Sequence, residues 1–176
     1  MNQLSPPALL SKMPRWRPLS RQPGPPGLHG WLADTGSLTH RLSGMGHFSV
    51  TLLRQGIQSP RLDERWLLGM PARRQALIRE VLLSLDGTPV VYARSVIPLT
   101  SLRGRNRILG HMAGRSLGAE LFRRPRATRR AVWVAQIPPA LLPEPVDDAA
   151  WGRQSLFLKR GQPLLVAEVF LPALWT

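Results

Sequence analysis

The 176-residue chain contains no cysteine, which excludes disulfides and thiolate-bound metal sites and fits a cytoplasmic protein. Aromatic residues make up only 6%, with a single tyrosine, and the six tryptophans are dispersed. No row of aromatics is therefore available to stack nucleic-acid bases. Long apolar runs are also missing. The longest candidate, 162–175, is interrupted by Pro163, Glu168 and Pro172, well short of the roughly 18 apolar residues a membrane-spanning helix requires. Lys12, Arg15 and Arg17 precede no apolar segment, so no secretory leader is expected. His29, His40, His47 and His111 lack metal-ligand spacing. There is no P-loop, no dinucleotide-binding glycine pattern after a strand and no nucleophile elbow. Acidic residues are scarce, 10 against 24 lysines and arginines, giving a net charge of +14. Such a balance suits an anionic partner: nucleic acid, an anionic membrane surface or an acidic small molecule.

What is present organises into strands and short helices. Residues 1–28 form a proline-rich N-terminal arm, and 29–176 the folded domain. Trp31 to Asp34 reads as a short helix. Ser37 is the expected N-cap of another through Leu42, ended by Gly44 and Gly46. Residues 48–54 are strand-like, 63–68 a turn of helix, and 102–118 loop plus helix. The segments 75–85 and 88–97 read as strands joined by Asp86-Gly87, the strongest short-range hairpin signal in the chain. A further strand is expected over 129–137. A second hairpin, 152–159 with 164–171, turns at Arg160-Gly161-Gln162. Tight turns between strands imply an antiparallel sheet, and the scattered short helices make the fold class α+β, a single domain.

Three charges sit on apolar strand faces. By alternation, Arg79 accompanies Leu77, Val81 and Leu83; Arg94 accompanies Val90, Tyr92 and Val96; Glu168 accompanies Leu164, Val166 and Phe170. Burying a charge is costly unless it is paired or binds a ligand. If Asp86-Gly87 is a two-residue turn followed by a regular ladder, Arg79 faces Arg94 directly. Like charges opposed on an apolar face call for an anion, or for Glu168, between them. Two readings follow: a pocket for a small anionic ligand, or an Arg-Glu-Arg network that only supports the fold. The basic run 123–130 reads as a solvated loop leading into a strand, with nucleic-acid or membrane contact as the alternative.

Several segments in one order carry a family resemblance. They are Trp31-Leu32 with Ser37-Leu38-Thr39, Ser49-Val50-Thr51, Leu77 to Leu83 with Asp86-Gly87, and Ala93 to Pro98. Ser116 to Phe122, Trp151-Gly152-Arg153 and Pro163 to Pro172 complete the set. Over about residues 28–173 the chain resembles chorismate pyruvate-lyase, which starts bacterial ubiquinone synthesis. The resemblance implies an antiparallel sheet with short helices covering an enclosed ligand site. It implies conversion of chorismate to 4-hydroxybenzoate and pyruvate with no metal or organic cofactor. The family's carboxylate-binding arginine falls on Arg79, its second site arginine on Arg94 and its ligand-contacting glutamate on Glu168. A backbone contact falls on Leu117, and Leu38 stands at a substrate-contact position where methionine is familiar. These place Arg79, Arg94 and Glu168 as catalytic residues and Leu38, Arg79, Leu117 and Glu168 as substrate-binding residues. The expected partner is chorismate alone, with no nucleic acid, no stable membrane insertion and a monomeric chain. The competing reading within this fold is a non-catalytic domain that senses a small anion.

Overall fold

Among the described residues seven strands form one sheet in the order β1-β5-β6-β7-β4-β3-β2 in the computed structural model, every neighbouring pair antiparallel. The structure describes residues 13–19, 24–143 and 150–176. The strands are β1 (Arg17–Pro18), β2 (Phe48–Gln58), β3 (Ala76–Leu85), β4 (Thr88–Pro98), β5 (Thr128–Ile137), β6 (Ala150–Lys159) and β7 (Gln162–Phe170). Among the described residues four α-helices accompany them: α1 (Pro26–Leu32), α2 (Leu38–Ser43), α3 (Leu62–Leu68) and α4 (Leu117–Phe122). The fold is the expected α+β arrangement. The arm residues Leu9 and Leu10 lie outside the described residues. Trp16 is tied down by donating its indole N–H to Asp63 at 2.9 Å, and Arg17 and Pro18 pair with β5.

Local chemistry accounts for these elements. The Ser37 hydroxyl accepts the His40 N–H at 3.2 Å and caps α2, while Ser116 does the same for Ala119 at 3.3 Å in α4. Asp86 and Gly87 both adopt positive φ (49° and 81°), as do Arg160 and Gly161 (49° and 76°). Two successive left-handed residues make a turn whose twist matches the flanking strands, so both hairpins close in two residues.

The β3–β4 ladder departs from the regular register. Leu85 pairs with Thr88 and Ser84 with Pro89, but Leu83 pairs with Val91. Val90 is therefore an extra residue, a β-bulge beside a proline that has no N–H to give the ladder. Val90 and Val91 consequently enter the same core cluster. Beyond this point every β4 side chain lies on the face opposite to that expected from a regular hairpin. Arg79 pairs with Ser95, and Arg94 pairs with Glu80. The expected opposition of Arg79 and Arg94 is thus corrected: the two arginines occupy opposite faces of the sheet.

Each face has its own cover. Leu28, Trp31, Leu32, Leu38 and Leu42 from α1 and α2 pack on Val81, Leu83, Ala93 and Phe170. Beside them Leu109, Met112, Leu117 and Leu121 pack on Leu77, Ile97, Phe157 and Val166. On the reverse face, Leu67 and Leu68 of α3 pack on Ile78, Val96 and Leu165. No helix among the described residues is long and apolar enough to cross a membrane.

Candidate active site

The front face of the sheet, beneath α2 and α4, holds a pocket. Its floor comes from Arg79, Val81 and Leu83 of β3, Ala93 and Ser95 of β4, Val166 and Glu168 of β7 and Phe157 of β6. Its cover comes from Leu38 and Thr39 of α2 and from Ser116, Leu117, Gly118, Leu121 and Phe122. Arg129 of β5 closes one side. The cavity they enclose is small, about 40 Å³, with the side chains close around it. A mostly apolar hollow with a few convergent charges is the usual form of a small-molecule site. Among the described residues no cluster of three or more histidine, aspartate or glutamate side chains could hold a metal ion.

Arg79 is 1% exposed, and its Nη2 donates to the carbonyls of Ala113 (2.7 Å) and Arg115 (2.6 Å). These two bonds tie the guanidinium to the loop that enters α4. Its Nε is buried without a partner, and no carboxylate among the described residues pairs with it. Burial lowers its pKa, yet a guanidinium stays protonated at any physiological pH. A full charge is thus held in the pocket with a vacant donor.

Glu168 lies on the same face, two strands away, opposite Ala93 on one side and Arg153 on the other. Its Oε2 accepts the Arg153 Nε at 2.5 Å. Arg153 is 1% exposed and donates from Nη1 to the carbonyls of Trp31 (3.0 Å) and Asp34 (2.5 Å). The end of α1 and the turn after it thereby hold the arginine that holds the glutamate. Sequence reasoning quoted Trp151-Gly152-Arg153 as part of a resemblance and gave Arg153 no role. The signal was available: with Arg160-Gly161 as a two-residue turn, pairing Lys159 with Gln162 runs back to Arg153 opposite Glu168.

Arg94 is not in this pocket. On the reverse face its Nε and Nη2 donate to Glu64 (2.6 and 3.2 Å) and its Nη1 to Glu80 (2.7 Å). The Tyr92 hydroxyl also donates to Glu80, at 2.9 Å. Burial opposes the charge on Arg94, but the hydrogen bonds and charges of Glu64 and Glu80 outweigh it and raise its pKa. Glu64 reaches the sheet from α3, where its Oε2 also accepts the Arg61 N–H at 2.8 Å. The arginine therefore fastens α3 to the back of the sheet. Of the residues expected at the site, the structure brings together Leu38, Arg79, Leu117 and Glu168 and leaves Arg94 apart.

A chorismate lyase family model matches residues 12–176. A protein of Alcanivorax borkumensis named "Probable chorismate pyruvate-lyase" is 56% identical over 169 residues, 96% of this chain and 81% of that one. One of Aromatoleum aromaticum with the same name is 42% identical over 161 residues, covering 85% and 87% of the two chains. Among solved structures, the effector domain of PhnF from Mycobacterium smegmatis superposes with a TM-score of 0.56 at 17% identity, covering 80% of this chain and 91% of that one. At that identity the likeness is one of fold.

Proposed function

The chain belongs to the chorismate lyase family, and from that premise we propose that its front-face pocket converts chorismate to 4-hydroxybenzoate and pyruvate. The observation that carries this reading is the pairing of two unlike groups on one apolar floor. Arg79 offers a cation with a buried, unpartnered N–H, and Glu168 offers a carboxylate already oriented by Arg153. Chorismate has a ring carboxylate for the first and a C4 hydroxyl for the second. Arg79 binds the ring carboxylate, assisted by the main chain at Leu117. Leu38 and Val81 wall the ring, and Glu168 accepts the C4 hydroxyl.

The reaction breaks the C3–O ether bond and removes the hydrogen at C4. The ring becomes aromatic, and the departing enolpyruvate takes up a proton at carbon to become pyruvate, so no outside oxidant or reductant is consumed. The enzyme's task is to hold the ether in a productive geometry and to stabilise charge on the leaving oxygen. Pinning the ring at both ends, carboxylate and hydroxyl, fixes the plane in which the C3–O bond lies. The 4-hydroxybenzoate formed would serve as the ring precursor of ubiquinone.

The test is direct. Purified protein is mixed with chorismate, and 4-hydroxybenzoate and pyruvate are followed by absorbance and mass. Turnover by the wild type that is lost in Arg79→Gln, with circular dichroism unchanged, is the expected result. Tight binding of chorismate without turnover would favour an anion-sensing domain, and full activity in Arg79→Gln would refute the anchor.

A further inference from the structure

Among the described residues, one of the three guanidinium groups around the pocket is neutralised by a carboxylate. Arg153 is ion-paired with Glu168, whereas Arg79 and Arg129 form no ion pair among the described residues. Arg129 lines the pocket from β5. Its Nη1 donates to the Asp34 carbonyl at 3.1 Å, and its guanidinium carbon lies 4.9 Å over the Phe157 ring. Those two contacts fix the head group, and its Nε remains buried without a partner. Burial and, next, the nearby Arg153 both work against its charge. A guanidinium placed against another cation, with one donor vacant, costs stability in the empty protein and is relieved by an anion.

The sheet order gives this vacancy a geometry. Glu168 stands on β7, Arg79 two strands away on β3 and Arg129 two strands away on β5, on the opposite side. At about 4.8 Å per strand, each arginine rises about 10 Å to the side of the glutamate; Arg129 is in addition level with Leu164, farther along β7 than Glu168, and its head group comes back toward Arg153 by sharing the Asp34 carbonyl. A ligand whose hydroxyl meets Glu168 and whose ring carboxylate meets Arg79 can still present a second carboxylate toward Arg129. Resting on the chorismate reading above, we propose that Arg129 is the binding residue for the carboxylate of the enolpyruvyl arm, the group that leaves as pyruvate. The pocket then carries two uncompensated positive charges for a substrate with two negative ones. The ring product has only one carboxylate, so its hold on the Arg129 side disappears once the ether is cleaved.

The experiment compares two ligands on three proteins: wild type, Arg129→Gln and Arg129→Lys. Steady-state kinetics report on chorismate, and fluorescence or calorimetric titration reports on 4-hydroxybenzoate, which lacks the enolpyruvyl arm. Losing one charge-assisted contact to a carboxylate predicts a roughly 10- to 100-fold lower kcat/KM for chorismate in Arg129→Gln. The Kd for 4-hydroxybenzoate should stay within about twofold, and Arg129→Lys should recover part of the kcat/KM. The 4-hydroxybenzoate titration also reports whether the variant pocket is intact. Equal weakening toward both ligands would overturn the proposal, because Arg129 would then act through the scaffold. Unchanged kcat/KM would overturn it as well. A wild-type protein that leaves chorismate intact would overturn the lyase reading and this assignment together, an outcome distinct from the other two.

Discussion

Replacing Arg94 by methionine should cost stability far more than catalysis. In the folded protein Glu64 is 1% exposed, and Arg94 covers both of its oxygens. Removing one partner of such a pair strands the other charge in the interior, a penalty of about 3–5 kcal/mol. Glu64 would keep the Arg61 N–H at 2.8 Å and the Arg61 guanidinium at 3.1 Å, and Glu80 is 18% exposed. The lower end of the range, about 3 kcal/mol, is therefore the appropriate figure. For a domain of this size that corresponds to a fall in Tm of roughly 6–12 °C. Urea unfolding and a thermal melt measure it, while kcat/KM is taken well below the new midpoint. Turnover should fall less than about tenfold, since Arg94 sits across the sheet from the ligand. Adding Glu64→Gln removes the stranded charge and should restore at least about 1 kcal/mol of the loss. The reasoning fails if Arg94→Met melts like wild type yet loses activity as completely as Arg79→Gln.

Two further outcomes follow from the same contacts. Burial alone would push the Glu80 carboxyl up, but the Tyr92 and Arg94 hydrogen bonds and the charges of Arg94 and Arg54 bring it below its ordinary value. A carboxyl depressed in the folded state contributes its full stability above the unfolded pKa, about 4.3, and loses it as pH falls through the folded value. The urea midpoint should therefore drop below about pH 4.3, and Glu80→Gln should flatten that limb; superimposable pH profiles would argue against the assignment. At the pocket cover, a Cβ on Gly118 would lie 2.8 Å from the Thr39 Oγ1, which itself meets the Ser116 Oγ at 2.5 Å. Gly118→Ala should push α4 from α2, destabilise by about 1–3 kcal/mol and raise KM for chorismate. Thr39→Ala in the same chain should relieve both effects, and a KM unmoved in Gly118→Ala would show that the cover yields without disturbing the pocket.

Strands β2 to β7, both hairpins and the Ser37 cap could be read from the sequence because each rests on local chemistry, whereas β1 and the Ser116 cap of α4, placed within a loop-plus-helix stretch over 102–118, were not read. Asp86-Gly87 and Arg160-Gly161 adopt positive φ, and Ser37 meets the N–H group three residues on. The apolar company of Arg79 within β3 and of Glu168 within β7 was likewise readable from alternation, whereas their sharing of one face depends on the register through β4. Arg94 was misplaced because its face depends on one long-range detail, the bulge at Val90, which alternation alone does not reveal. Its true partner Glu64 lies 30 residues away on a helix whose docking no periodicity announces. Arg129 was hidden for another reason. It sits within a run of arginines, and charge density suggests solvent for all of them, although Arg126 and Arg130 are exposed while Arg129 turns into the pocket.

The bulge at Val90 gives the entry of β4 one residue more than its ladder needs. Deleting Val90 would leave a regular ladder in which Leu83 still meets Val91, Arg79 still meets Ser95 and Arg94 still meets Glu80. The pocket floor and the clamp on α3 would both survive the loss. Adding a residue is different: unless a second bulge absorbs it, Val91 to Pro98 turn over as a block and Arg94 comes to lie beneath α2 and α4. Tolerance to a change of length at this strand entry should therefore be lopsided, with a single deletion borne better than a single insertion.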